Sequence, residues 1–281
     1  PLDILGMCHA CMQSAAADLV SEDMAMDQAI QEEKHKDAAR KTLVFEDYTA
    51  LGNAKRLVGL HGDKLRYCHT TEKWYIWDGK RWRVDDTGEV QRLAVDTIVK
   101  YARIVEADVI EPPRQKGRFR TDPESFSKVM QSRRSVEAMI SLAQSISPIP
   151  VRRNDLDTDS WLLTCENGTI DLRTGDLRPH SQDDLITMKA PVEYKPFAES
   201  VVWSKFLERV VPDIDIRLFL QEALGSSLTG CPPDNLFFLH GITKSGKTTI
   251  LRAILDTLGD YAHTARYLTF VRDKYESGSQ H

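Results

Sequence analysis

A chain of 281 residues, 41% of them hydrophobic, is long enough to bury a real core in one large or two modest domains. A net charge of −5 excludes a uniformly basic nucleic-acid binder, so any contact with DNA must be local. No run approaches the roughly 18 apolar residues that span a bilayer, and no basic N-terminal region leads into an apolar stretch, which predicts a soluble, cytoplasmic protein with no membrane partner.

In chain order, residues 1–41 are rich in Ala, Met, Gln and Glu and read as a helical leader or linker, as would follow an upstream domain. The five cysteines, Cys8, Cys11, Cys68, Cys165 and Cys231, are odd in number and scattered, which fits a reducing compartment better than a disulfide framework. Cys8 and Cys11 form a C-x-x-C pair, but no second pair follows at zinc-site spacing. Lys73–Trp77 and Lys80–Val84 flank Asp78-Gly79, a pair that tolerates the positive φ angles of a tight turn, so two antiparallel strands are expected. Trp74, Trp77 and Trp82, beside Arg81 and Arg83, have the makings of a base-stacking platform, although aromatic hairpins are more often core.

Apolar residues recur at helical spacing from Val90 to Ile110, where Pro112-Pro113 stops the pattern, and a second helix is expected from Pro123 to Ala143. Between Arg114 and Arg153 basic residues outnumber acidic ones. Such a run is usually a solvated surface; the candidates within it for phosphate contact on single-stranded DNA are Arg114, Lys116, Arg118, Arg133 and Arg134. Trp161–Leu177 reads as strands with turns at Asn167-Gly168 and Thr174-Gly175. Trp203, Phe206, Leu207 and Val210, then Leu218, Phe219 and Leu224 after Pro212, suggest a helical hairpin. Pro232-Pro233 marks the expected boundary between a mixed α+β domain over 42–231 and a second region over 232–281.

That second region carries the most specific signal. Leu236–His240 reads as a short buried strand, Gly241 to Thr248 fits G-x-x-x-x-G-K-[ST], and Thr249–Leu258 reads as a helix with Gly259 placed to cap it. In such a P-loop, Gly241, Thr243, Lys244, Ser245 and Gly246 curl the backbone so that N–H groups face phosphate oxygens beside the positive end of the helix. Lys247 is the catalytic candidate, reaching the β- and γ-phosphates of ATP. Thr248 is the Mg²⁺ candidate and Thr249 completes the nucleotide-binding set.

Taken together, Gly52–Leu57, Trp74–Trp82, Asn167–Gly175, Leu220–Gly225, the P-loop and Leu258–Ala262 resemble the phage and plasmid primase-helicases, superfamily 3 proteins that share an N-terminal domain with poxvirus primase-helicases. The resemblance covers roughly residues 45–281. It implies an α+β N-terminal domain of helices and β-hairpins, followed by the first strand, P-loop and helix of an α/β AAA+-like domain. It also implies an ATP- and Mg²⁺-dependent helicase of phage, prophage or plasmid replication that forms a ring, usually a hexamer, on single-stranded DNA, often behind a primase domain. Thr243 and Ser245 depart from the residues this family often carries in the loop. Only 33 residues follow Thr248, and neither an acidic Walker B strand, a sensor nor an arginine finger is recognisable among them. Tyr267–Asp273 is a poor imitation of the acidic strand, so ATP binding without helicase-like turnover is expected. A P-loop phosphotransferase, or a non-catalytic DNA-binding or oligomerisation module from a degraded prophage gene, would share the same loop.

Overall fold

The computed structural model describes residues 49–106, 129–231 and 236–266. The chain divides into two compact units, Pro1–Tyr67 with Asp86–Pro150, and Cys68–Asp85 with Val151–His281. Among the described residues the fold is mixed α+β, with small antiparallel sheets, and no helix is long and apolar enough to cross a membrane.

The first unit is built on three helices that each touch the other two: α1 (Ala50–His61), α2 (Glu89–Glu106) and α3 (Arg133–Ala143). Thr49 starts α1 as an N-cap, its hydroxyl accepting the Gly52 N–H at 3.0 Å. Ala54, Leu57 and Val58 recur at helical spacing and are buried, as are Ile98, Tyr101 and Ala102 on α2 and Val136, Met139 and Ala143 on α3. Among these apolar groups lies a fully buried arginine. Arg56 donates to Asn53 Oδ1 at 2.9 Å, and its guanidinium carbon sits 3.9 Å from the centre of the Tyr101 ring. A desolvated cation–π contact of this kind is worth about 2 kcal/mol.

Helix α2 starts where its periodicity predicts, and its expected extension over 107–110 lies outside the described residues. The helix expected from Pro123 to Ala143 is corrected. Val129 and Met130 are helical, the chain turns at Gln131-Ser132, and α3 begins afresh with the Ser132 hydroxyl accepting the Ser135 N–H. A serine offers the backbone N–H groups an alternative acceptor and so favours a new cap over a continuous helix.

Strand β1 (Leu65–Cys68) carries the chain from the first unit into the second. There β2 (Lys73–Trp77) and β3 (Trp82–Val84) form the expected antiparallel hairpin, with Tyr75 opposite Val84 and Trp77 opposite Trp82. The connection has four residues, Asp78 to Arg81. Asp78 Oδ1 accepts the N–H groups of Lys80 and Arg81, each at 2.9 Å, while Gly79 takes φ +94°. A second antiparallel sheet has the order β4 (Leu162–Thr164), β5 (Thr169–Asp171), β6 (Asp176–Arg178), turning at the two places the sequence marks. Helices α4 (Val201–Val210) and α5 (Ile214–Ser226) then follow, capped by Ser200 and Asp213.

The strand expected before the P-loop is absent. Leu236–His240 belongs to no strand, and Leu236 and Phe238 are 69% and 83% exposed. An apolar run becomes a strand only when a neighbour supplies ladder hydrogen bonds, and among the described residues none pairs with it. The expected helix does follow, as α6 (Lys247–Leu258), with Ile250 and Leu258 buried. Gly259 caps it at φ +55°, and a Cβ there would lie 2.4 Å from Pro191 Cδ, so only glycine fits.

Trp77 and Trp82 of the hairpin serve the core. Trp82 is fully buried in a cluster with Cys68, Tyr75 and Leu156, with Trp77 packed against it at a ring separation of 5.6 Å. Its indole N–H donates to the Gln182 carbonyl at 2.9 Å, and its backbone N–H to that of Ile186 at 2.8 Å. Trp82→Ala should therefore lower stability by about 3–5 kcal/mol, as large-to-small core changes do. Urea unfolding followed by far-UV circular dichroism checks this. Trp82→Phe, which keeps the ring and loses the indole hydrogen bond, should lie between the two.

Candidate functional site

The site is assembled at the start of α6. Gly246 caps the helix at φ +90° and Lys244 takes φ +65°, so two left-handed residues turn the chain sharply into its first helical turn. The N–H groups of that turn have no intrahelical acceptor and carry the positive end of the helix dipole. Gly241, the other glycine of the motif, is nearly extended, so the unusual backbone falls on Lys244 and Gly246.

Lys247 lies across the loop it terminates. Its ammonium donates to the carbonyl oxygens of Gly241 and Ile242, each at 2.8 Å, and to Ser245 Oγ at 2.9 Å. All three are neutral oxygens, which orient the ammonium and leave its charge available to an anion. Thr248 and Thr249 follow in the exposed first turn, and Thr243 is exposed on the loop. The eight residues read from the motif, Gly241, Thr243, Lys244, Ser245, Gly246, Lys247, Thr248 and Thr249, thus come together at one helix end. A Cβ at Gly246 would lie 2.8 Å from Val210 Cγ1 and 3.3 Å from Phe206 Cζ, so the loop packs directly on α4.

The far end of α6 is also fastened. Asp260 accepts from the Arg81 guanidinium and from the Lys189 backbone N–H, the latter at 3.0 Å. The Tyr261 hydroxyl accepts the Thr164 N–H at 3.0 Å and donates to the Met188 carbonyl at 3.2 Å; burial pushes its phenol up. Nearby, Glu166 accepts from both Lys80 and Lys189. Sequence reasoning attached Leu258–Ala262 to a family resemblance but not to these partners. No local pattern pairs Asp260 with an arginine 179 positions earlier.

Of the DNA candidates, Arg133 and Arg134 are among the described residues. Arg133 and Arg134 are exposed in the first turn of α3, Arg133 paired with Glu137 at 2.6 Å, while Arg114, Lys116 and Arg118 lie outside the described residues. So do the helical leader, Cys8 and Cys11, Pro232-Pro233 and Tyr267–Asp273. No cluster of metal-ligating side chains occurs among the described residues.

Comparison with known proteins gives the chain its class. A model of the "D5 N terminal like" family matches residues 54–212, more than half of the chain, and the chain belongs to that family. "Putative helicase L207/L206" of Acanthamoeba polyphaga mimivirus is 27% identical over 202 residues, which are 66% of this chain and 21% of that protein. The chain therefore spans about a fifth of the length of that relative. The family match ends before the P-loop, so the loop's chemistry rests on its own geometry.

The two lysines beside Glu166 hold its carboxyl down at about 2, against an ordinary value of 4.5. A carboxyl depressed in the folded state stabilises above its unfolded pKa, and the contribution is lost as pH falls from about 4.5 through about 2. Glu166→Gln should accordingly be less stable than the parent at neutral pH, with the difference shrinking across that window. Urea midpoints measured for both proteins at stepped pH read it directly; a constant difference at every pH would remove the assignment.

Proposed function

We propose that this chain is part of an ATP-dependent primase-helicase acting in phage, prophage or plasmid DNA replication, and that residues 241–249 bind the triphosphate of ATP. The observation that carries the reading is the Lys247 ammonium, oriented by three neutral oxygens of its own loop at the positive end of α6. Arriving phosphates would exchange with those oxygens and gain a full charge as partner. Membership of the D5 N terminal like family and the likeness to a viral protein named as a helicase supply the setting.

The Thr248 hydroxyl would hold Mg²⁺, which would supply positive charge to offset the charge that develops on the phosphate oxygens. Lys247 would pair its charge with the phosphate oxygens, and the N–H groups of the first turn would orient them. Assembly into a ring, usually a hexamer, around single-stranded DNA and an upstream primase domain complete the proposal, on the strength of the sequence resemblance.

Replacing Lys247 with Ala removes a charge-assisted contact worth about 1.5–3 kcal/mol, so affinity for MgATP should fall roughly ten- to a hundredfold in calorimetry. Equal binding by parent and variant would end the nucleotide reading of the loop.

For DNA, Arg133 and Arg134 are the described basic candidates, and an exposed helix turn suits phosphate contact without base readout. Arg133→Glu combined with Arg134→Glu should weaken single-strand binding. The slope of log affinity against log salt should become shallower by about 1.4, the value expected for two lost phosphate contacts. An unchanged slope would assign that turn to plain solvated surface.

A further inference from the structure

We infer that the groove between α4 and α6 receives the nucleobase of the nucleotide, with Trp203 and Phe206 as its stacking platform. This rests on the nucleotide reading of the loop and extends it to the part of the ligand the P-loop motif does not address. The groove encloses about 680 Å³, within the range of small-molecule sites. Its floor on α6 is Thr249 and Ala253, which share a helix face with Gly246. Gly246 itself touches Phe206, so the groove begins at the phosphate loop and runs along the helix away from it.

The two walls differ in chemistry. On α6 the residues are small, which leaves room; on α4 they are aromatic, and the rings of Trp203 and Phe206 lie 5.4 Å apart at 29°, close to parallel. Both rings are only half-buried, so part of their surface faces the groove. Lys205 and Arg209, four residues apart on α4, add exposed positive charge to the rim, where the sugar and α-phosphate of a nucleotide joining base to loop would pass. A flat, uncharged ring with an anionic tail matches an aromatic groove that leads to Lys247. A peptide or lipid chain would have no use for the charged end. The smaller cavity, about 300 Å³ against Leu258 and Tyr261, sits at the opposite end of α6. That is roughly 17 Å along the helix from Lys247 at about 1.5 Å per residue, the wrong end for a base tethered to the loop.

The experiment compares two ligands by calorimetry, MgATP and magnesium tripolyphosphate, which has the phosphates and no base. Trp203→Ala should weaken MgATP roughly ten- to a hundredfold, the loss of one stacked base, and leave tripolyphosphate unchanged. Trp203→Leu preserves apolar bulk should the alanine variant fold poorly, and it should show the same selective loss, while Trp203→Phe should recover most of the affinity. Lys247→Ala should weaken both ligands. If the Trp203 variants bind MgATP as the parent does, or lose both ligands equally, the groove does not meet the base. If Lys247→Ala changes neither ligand, the phosphate reading itself fails and the base site falls with it.

Discussion

Helix α6 is held at both ends, and the candidate site depends on that restraint. At its start, Gly246 packs against Val210 and Phe206 with no room for a side chain. At its end, Gly259 closes against Pro191 while Asp260 and Tyr261 bond to Arg81, Lys189, Thr164 and Met188. Asp260 is nearly half exposed, so its ion pair with Arg81 contributes modestly. The hydrogen bonds of the Lys189 N–H and of the half-buried Tyr261 hydroxyl add to this restraint from less solvated positions. A phosphate loop is useful only if its N–H groups stay aimed, and pinning α6 at both ends, at its start through Gly246 on α4, would serve that aim.

The same contacts explain why α6 belongs to the second unit. Its end is tied to residues of β4 and of the loops after β2 and β6, and its start is tied to α4, all within one compact body. The first unit keeps a separate core of three helices, in which a cationic side chain, Arg56, is sequestered against Tyr101 and Asn53. Charge there serves packing. The Lys247 ammonium, by contrast, meets neutral oxygens of its own loop among the described residues.

Several features could be read directly from local chemistry. The Asp78-Gly79 and Asn167-Gly168 turns, helices α2, α4 and α5, and α6 with its Gly259 cap all follow from short-range rules: residues that tolerate positive φ, apolar spacing near 3.6, and side chains that cap N–H groups. Two expectations failed where local signals were not enough. Leu236–His240 has a strand's composition and no partner strand, and the stretch ending at Ala143 has a helix's periodicity but an internal serine cap.

By itself, then, the sequence determined where the glycine-rich loop meets the start of α6 and which turns close the β-hairpins, because those depend on neighbours a few positions away. Only the tertiary structure decided that Trp82 is core, that Arg56 is buried on Tyr101, that Asp260 meets Arg81, and that Trp203 and Phe206 line a groove beside Lys247. Each of those outcomes joins side chains from separate elements. Helical or strand spacing states which face a residue occupies, whereas what covers that face is settled by how the elements pack.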